Sequence, residues 1–362
     1  MMNAHHFNLI STWILRDMVK RMKVTAKTIA EQLNISPATV DRVLHNRGGV
    51  SPKTIKKVME KAKELNYTPN KSASFLAKKK QVNVAFVFPE YPQYFWKEIE
   101  MGIKAALEDM QHYGFHIEIL KPPHTIEKQM EVVQQIINSE RYDGLVICPT
   151  DGIPLTNIIE TGIKKEFPIF TFNNDSPTSK RISYVGANYD DAGRLAGELL
   201  VKFTGASKKF AVITDEQDTF QMKQKRRGFE AFSLENNTID FVKLLRYDNQ
   251  NAEESLARIK SNITDVDGVY VACGALAEIS VIVKELGENR PILIGHDMSN
   301  SIYQYLQEDI VTATICQDPY YQGNLALRLA FNYLMLNKAP DREEHIVKLE
   351  IVTKGNAKYY LQ

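Results

Sequence analysis

From Val82 onward, short apolar runs alternate with stretches of helical spacing. VNVAFVF (82–88) is continuous and rich in β-branched residues, a helical stretch covers 96–112, and FHIEIL (115–120) follows. The same alternation predicts a helix over 127–139, a strand at GLVIC (144–148), a helix over 153–164 and a strand at PIFTF (168–172). After Tyr184-Val185-Gly186 it resumes with a helix over 189–203, KFAVIT (209–214), a helix over 222–236 and FVKLL (241–245). A helix over 252–261, GVYVA (268–272), a helix over 275–286 and PILIG (291–295) complete it. Apolar runs without alternation read as strands buried on both faces, and strands that alternate with helices build parallel sheets covered by those helices. The expectation is an α/β body of two doubly wound, flavodoxin-like halves, each of four or five strands.

Upstream the periodicity is purely helical. Thr25 can cap a first segment with Ile29, Ala30 and Leu33 inward. Ser36-Pro37 opens a second, since Ser suits the N-cap and Pro the first helical position. Val40, Val43 and Leu44 form its inward stripe, and Gly48-Gly49 stops it. Ser51-Pro52 repeats the start signal for a third, with Ile55, Val58, Ala62 and Leu65 inward. Only about three residues around Asn34 separate the first two segments, the spacing of a helix-turn-helix. Other small three-helix bundles share this geometry. On the second segment Pro37, Ala38, Asp41, Arg42 and His45 share one outward face. Lys53, Lys56 and Lys57 add charge on the third, as a merely solvated face also would.

Charge separates the same two parts. The chain of 362 residues has a net charge of only +1, yet residues 1–80 hold 16 Lys and Arg against 5 Asp and Glu. The remainder holds 29 against 39. A basic head on an acidic body is a layout of nucleic-acid binders. Residues 1–21 precede Met22-Lys23-Val24-Thr25, itself a plausible start; they read as an over-read, a disordered arm or a short helix over 14–21.

Candidate chemistry narrows the field further. The 3 cysteines, Cys148, Cys273 and Cys316, are far apart and form no C-x-x-C, so reduced buried thiols are expected rather than a disulfide or metal site. No run of 18 apolar residues exists to span a membrane. FNLISTWIL (7–15) lacks a preceding Lys or Arg and a nearby small-residue cleavage site, so secretion is not expected. G-x-G-x-x-G, G-x-S-x-G and H-E-x-x-H are absent, and no nucleophile–base pair stands out. Neither catalysis, a cofactor nor a metal is expected.

The head carries a specific resemblance. V-T-x-x-x-I-A-x-x-L-x-I-S-x-x-T-V-x-R-V-L (24–44), N-x-x-G-V-S (46–51) and A-x-E-L-N-Y-x-P-N (62–70), continued at Ala73 and Leu76-Ala77, resemble the LacI/GalR family of bacterial transcription regulators. The resemblance implies that the second helix lies in the major groove. Pro37, Ala38 and Arg42 would read bases there, Arg42 as a bidentate guanine contact and the first two through apolar contact, such as a thymine methyl. Ser36, Thr39, Asn46 and the amide of Val50 would position phosphates, with Thr25, Asn70 and Ala73 also on the DNA surface. PNKSASFLAKKK (69–80) resembles the family's hinge, in which Leu76 would wedge into the minor groove. A solvated linker is the plainer reading. Asp41 would either accept a hydrogen bond from cytosine or brace a nearby Lys or His45.

The body resembles that family's periplasmic-binding-protein-like effector domain, of the ribose/galactose type. The resemblance is carried by YFWKEIEMGIKAAL (94–107), DGLVICPTD (143–151), VGANYDDAGRLAGELL (185–200), IGHDMS (294–299) and VTATICQDPYYQGNLAL (311–327). It implies a sugar site at the strand ends, with Phe95 and Trp96 stacked on an apolar sugar face. Asn173, Asn174, Asp297 and Gln317 would bond its hydroxyls. Lys223 or Lys225 stands where an arginine is usual, and Cys273 where Asn or Asp is, so an anionic sugar stays open. The implied whole is a cytoplasmic homodimer that binds double-stranded operator DNA under control of a small carbohydrate effector. Its segments are an extension (1–21), a helix-turn-helix domain (22–68), a hinge (69–80) and an effector domain (81–362). Within the last, one subdomain takes about 81–184 and 317–342, the other about 185–316 and 343–362, with residues 99–112 at a dimer interface.

Overall fold

The computed structural model describes residues 24–44, 47–65, 67, 81–123, 125–150, 153–205, 208–236 and 239–361. The expectations for residues 1–21, for His45 and Asn46, and for the 69–80 hinge with Asn70, Ala73 and Leu76 lie outside the described residues. The chain forms two units, divided between Lys80 and Gln81.

The head contains α1 (Ala26–Leu33), α2 (Pro37–Leu44) and α3 (Pro52–Glu64). Their starts follow from hydroxyl caps. Thr25 accepts the amide of Thr28 at 3.2 Å, while Thr28 accepts that of Thr25 at 3.3 Å. Ser36 accepts the amide of Thr39 at 3.1 Å, and Ser51 that of Thr54 at 3.3 Å. Asn34 ends α1 in the left-handed region, at φ 50°, which its short amide side chain tolerates. That turn brings α2 back so that Ile29, Ala30, Val40, Val43, Val58 and Ala62 meet in one core.

The body begins with β1 (Val82–Val87), α4 (Gln93–Glu108), β2 (Phe115–Leu120), α5 (Ile126–Asn138), β3 (Gly144–Ile147), α6 (Ile153–Lys164), β4 (Ile169–Phe172) and β5 (Tyr184–Gly186). It continues with α7 (Tyr189–Thr204), β6 (Lys208–Asp215), α8 (Phe220–Asn236), β7 (Ile239–Tyr247), α9 (Ala252–Asn262), β8 (Gly268–Val271), α10 (Leu276–Lys284) and β9 (Ile292–His296). It closes with α11 (Asn300–Gln307), β10 (Ala313–Cys316), α12 (Pro319–Leu336), β11 (Glu344–Ile346) and β12 (Glu350–Val352).

Two six-stranded sheets share one order, β11-β5-β4-β3-β1-β2 and β12-β10-β9-β8-β6-β7. Every described pairing is parallel except β10 with β12. In both sheets the first strand lies between its two successors, the switch point at which doubly wound folds hold ligands. Each sheet has more strands than expected, β5 and β11 in the first and β10 and β12 in the second; β5, β11 and β12 have only three residues, too few to show a period. The chain crosses between sheets three times, and two expected boundaries move. Residues 344–346 pair with β5 in the first sheet, so the last crossing falls after Ile346 rather than at 342/343. The first crossing falls after Gly186 rather than at Tyr184, since β5 pairs with β4.

Both halves clamp their flanking helices with glycines. A Cβ on Gly102 of α4 would lie 1.9 Å from the carbonyl oxygen of Tyr320 at the start of α12. One on Gly193 of α7 would lie 1.9 Å from that of Lys225 on α8. These crossings bring the helix starts, and their side chains, close to the strand ends.

Candidate functional site

The strand ends of both sheets surround a cavity of about 570 Å³. Phe95 and Trp96 line it from the first turn of α4, Asn173 and Asn174 from the end of β4, Cys273 from that of β8, Asp297 from that of β9, and Gln317 from that of β10. Asn173 and Asp297 turn inward through left-handed backbone, at φ 58° and 68°. Such a conformation is uncommon outside glycine and clusters at ligand-holding positions.

The polar side chains form one continuous network. Asn173 Nδ2 donates to Tyr189 Oη at 3.2 Å, and Tyr189 donates to Gln317 Oε1 at 2.9 Å. Gln317 Nε2 then donates to Asp297 Oδ1 at 3.0 Å. Gln322 Nε2 braces the same residue, donating to the backbone carbonyl of Gln317 at 2.8 Å. Lys225 enters from α8, donates to the carbonyl of Ala272 at 2.7 Å, and lies 5.4 Å from the centre of the Tyr189 ring. His296 points the other way, bonding Tyr270 at 2.7 Å beneath the sheet, so it forms no pair with Asp297.

Burial sets the charges. It pushes the Asp297 carboxyl up to about 6, with Lys225 and the Gln317 bond pulling back. It pushes the Lys225 ammonium down to about 8 against the attraction of Asp297. Near neutral pH both are charged, beside the amides of Asn173 and Gln317 and the phenol of Tyr189. Between about 8 and the ordinary lysine value of 10.5, the unfolded chain keeps a proton that folded Lys225 has lost. This lysine therefore makes stability rise with pH across that window. Lys225→Met is expected to remove that increment, read as the wild-type-minus-variant difference in urea midpoint between about pH 7.5 and 10.

The aromatic wall is partly committed. Trp96 stacks on Phe88 at 5.2 Å between centroids, and its Nε1 donates to the carbonyl of Tyr91 at 2.9 Å. One face of that ring is covered from within, and Phe95 meets its edge at 5.1 Å. Asn174 is committed as well. It donates to the carbonyl of Pro149 at 2.6 Å, and its Oδ1 accepts the amides of Asp175 and Gln221, both at 3.1 Å. The last of these ties the two halves together, as does Tyr91, which donates to Glu278 at 3.1 Å.

On the head, Pro37, Ala38 and Arg42 are exposed on one face of α2, with Asp41 half-buried beside them. Asp41 Oδ2 accepts a bond from Arg47 Nη1 at 3.1 Å. Thr25, Ser36 and Thr39 sit at helix starts, and Val50 is half-buried against the head core.

Comparison with known proteins accounts for both units. The pattern described as bacterial regulatory proteins of the lacI family matches residues 25–70, and that of the periplasmic binding protein domain matches residues 84–338. The chain belongs to the lacI family of bacterial regulatory proteins. It is 27% identical over 234 residues to the HTH-type transcriptional regulator MalR of Streptococcus pneumoniae, covering 61% of this chain and 68% of that one. It is 24% identical over 323 residues to the ribose operon repressor of Lactococcus lactis subsp. lactis, covering 85% and 90%. In fold it is similar to GanP, a glucose-galactose binding protein from Geobacillus stearothermophilus, with a TM-score of 0.69, 23% identity, and coverage of 77% and 99%.

One sequence expectation for this lacI-family regulator is corrected. Lys223 is exposed and does not line the cavity; Lys225 does. Helix α8 buries Met222, Lys225 and Phe229, positions three and four apart, so position 223 turns outward. Arg47, six residues on and beyond the helix end, also bonds Asp41 from a place to which helical spacing does not point. Tyr189 and Gln322 were given no role from the sequence. Their signal was weak: a tyrosine opening one helix, and a glutamine buried inside another.

Proposed function

We propose that this DNA-binding regulator is a homodimeric repressor in the bacterial cytoplasm whose operator affinity answers to a neutral carbohydrate. The observation that carries the reading is the buried network of Asn173, Tyr189, Gln317, Asp297 and Lys225 in an aromatic-walled cavity between the two sheets. Planar amides and a carboxylate offer donors and acceptors in fixed directions, as ring hydroxyls require. The relatives' names, a ribose operon repressor among them, support the repressor sense and the sugar class.

The cavity's charge favours a neutral effector over a uronate or sugar phosphate. Glu90, Asp215, Glu216, Asp248 and Asp297 line it against Lys121 and Lys225. Lys121 is itself paired with Glu100. An anion entering this field meets net repulsion. The effector must bind one arrangement of the halves better than another to act, and the Asn174–Gln221 and Tyr91–Glu278 bonds across the cleft are the contacts that such a change would make or break. The exposed Met101 on α4 supports a dimer interface over residues 99–112.

The test uses the full chain to enrich duplexes from a randomised pool, then challenges the complex with free D-ribose, D-glucose, D-galactose, D-glucuronate and D-glucose 6-phosphate. Release by a neutral sugar alone is expected; release only by the anions would overturn the effector class. For the active sugar, Asp297→Ala is expected to weaken binding by roughly ten- to a hundredfold, the cost of losing a charged hydrogen bond in a buried site, as isothermal titration would read.

A further inference from the structure

We propose that Arg47 is a DNA-backbone ligand of the head, poised beside the recognition helix by Asp41. The proposal rests on the DNA-binding reading of the head.

Arg47 is anchored at both ends. Its backbone amide donates to the carbonyl of Arg42 at 2.8 Å, the long-range bond that closes many helix C-termini. Its guanidinium donates to Asp41 Oδ2 at 3.1 Å. Both anchors belong to α2, and both are neighbours on the face that carries Pro37, Ala38 and Arg42. The side chains stay open to solvent, at 61% for Arg47 and 46% for Asp41. Stability does not account for such a pair, because exposed ion pairs contribute at most about 1 kcal/mol.

The pair solves an electrostatic problem instead. A carboxylate on a DNA-facing helix repels phosphate, and Arg47 cancels that charge where it arises. The contact to Asp41 uses one of the five N–H donors of a guanidinium, which leaves donors for a phosphate oxygen. Position decides between phosphate and base. The first residues of a recognition helix meet base edges, and chain beyond its end runs out past the backbone. Arg47 lies three residues beyond Leu44, the end of α2.

The full-length protein and its Arg47→Ala and Arg47→Lys variants should be titrated across a salt series. The probes are the duplex enriched by the wild type and an unrelated duplex of equal length. One lost phosphate contact lowers the slope of log affinity against log salt by about 0.9, which is about fivefold in affinity near 0.15 M salt. Arg47→Ala is expected to show that loss on both duplexes, and Arg47→Lys to recover the slope. An unchanged slope with Arg47→Ala would overturn the proposal. So would a loss confined to one base pair of the enriched site, since Arg47 would then read sequence. If the wild type enriches no duplex at all, the DNA-binding reading itself fails. Thermal unfolding of the variants matching the wild type is expected, because neither substitution touches the head core.

Discussion

Gly193→Ala is expected to destabilise the body and to abolish effector binding with it. In an exposed helix this substitution gains about 1 kcal/mol through helix propensity. Here the added methyl would stand 1.9 Å from the carbonyl oxygen of Lys225 and 2.8 Å from the amide nitrogen of Phe229. Both are backbone atoms of α8, so no side chain can rotate away. The helices must part, and overpacking of this kind costs about 3 kcal/mol, sometimes more. The net loss of roughly 2 kcal/mol or more corresponds to a fall in melting temperature of about 3 °C or more for a unit of this size. Lys225 is the residue struck, so the cavity should be displaced along with the crossing. Gly355→Ala is the control, because a Cβ there meets nothing within 4 Å. If the two variants melted together, the crossing would be looser than its geometry shows.

Arg181→Ala should cost as much or more by a different route. Arg181 grips Asp175 with two bonds, both 2.8 Å, and the side chains are 5% and 7% exposed. Thr171 donates to the same carboxylate at 2.6 Å, and Arg181 reaches the carbonyl of Glu343 at 3.3 Å. Removing the guanidinium leaves a buried carboxylate without its counter-charge, typically a loss of about 3–5 kcal/mol. The pair also fixes the segment that follows β4, on which Asn173 holds its left-handed turn. Effector affinity should therefore fall in whatever fraction remains folded. Adding Asp175→Asn to Arg181→Ala removes the stranded charge and should recover a large part of the loss in urea unfolding. A double variant no better than the single would mean that the packing of Arg181, rather than its charge, holds the segment.

Much of the architecture was legible along the chain because it is local. Strand runs such as VNVAFVF carry their own burial pattern, and Ser36-Pro37 and Ser51-Pro52 start helices through neighbouring atoms. The same locality explains why β5, β11 and β12 escaped notice. Three residues are fewer than two periods of alternation, and β11 pairs its Glu344 with the distant Tyr184.

The site was legible as a set of positions but not as an arrangement. The family resemblance pointed to Asn173, Asp297 and Gln317, and the structure brings all three together around Tyr189. It also separates residues that the sequence could not. Lys223 and Lys225 are two positions apart, about 200° around a helix, so only the packing of α8 against α7 decides which one enters the cavity. Asn174 and Asn173 are adjacent, yet one faces the network and the other ties the halves together. By itself the sequence determined a helix-turn-helix head, a doubly wound body and the chemistry present at the strand ends. Tertiary structure alone decided which of those groups face one another, because a side chain's direction depends on helix phase and on chain crossings far apart in the sequence.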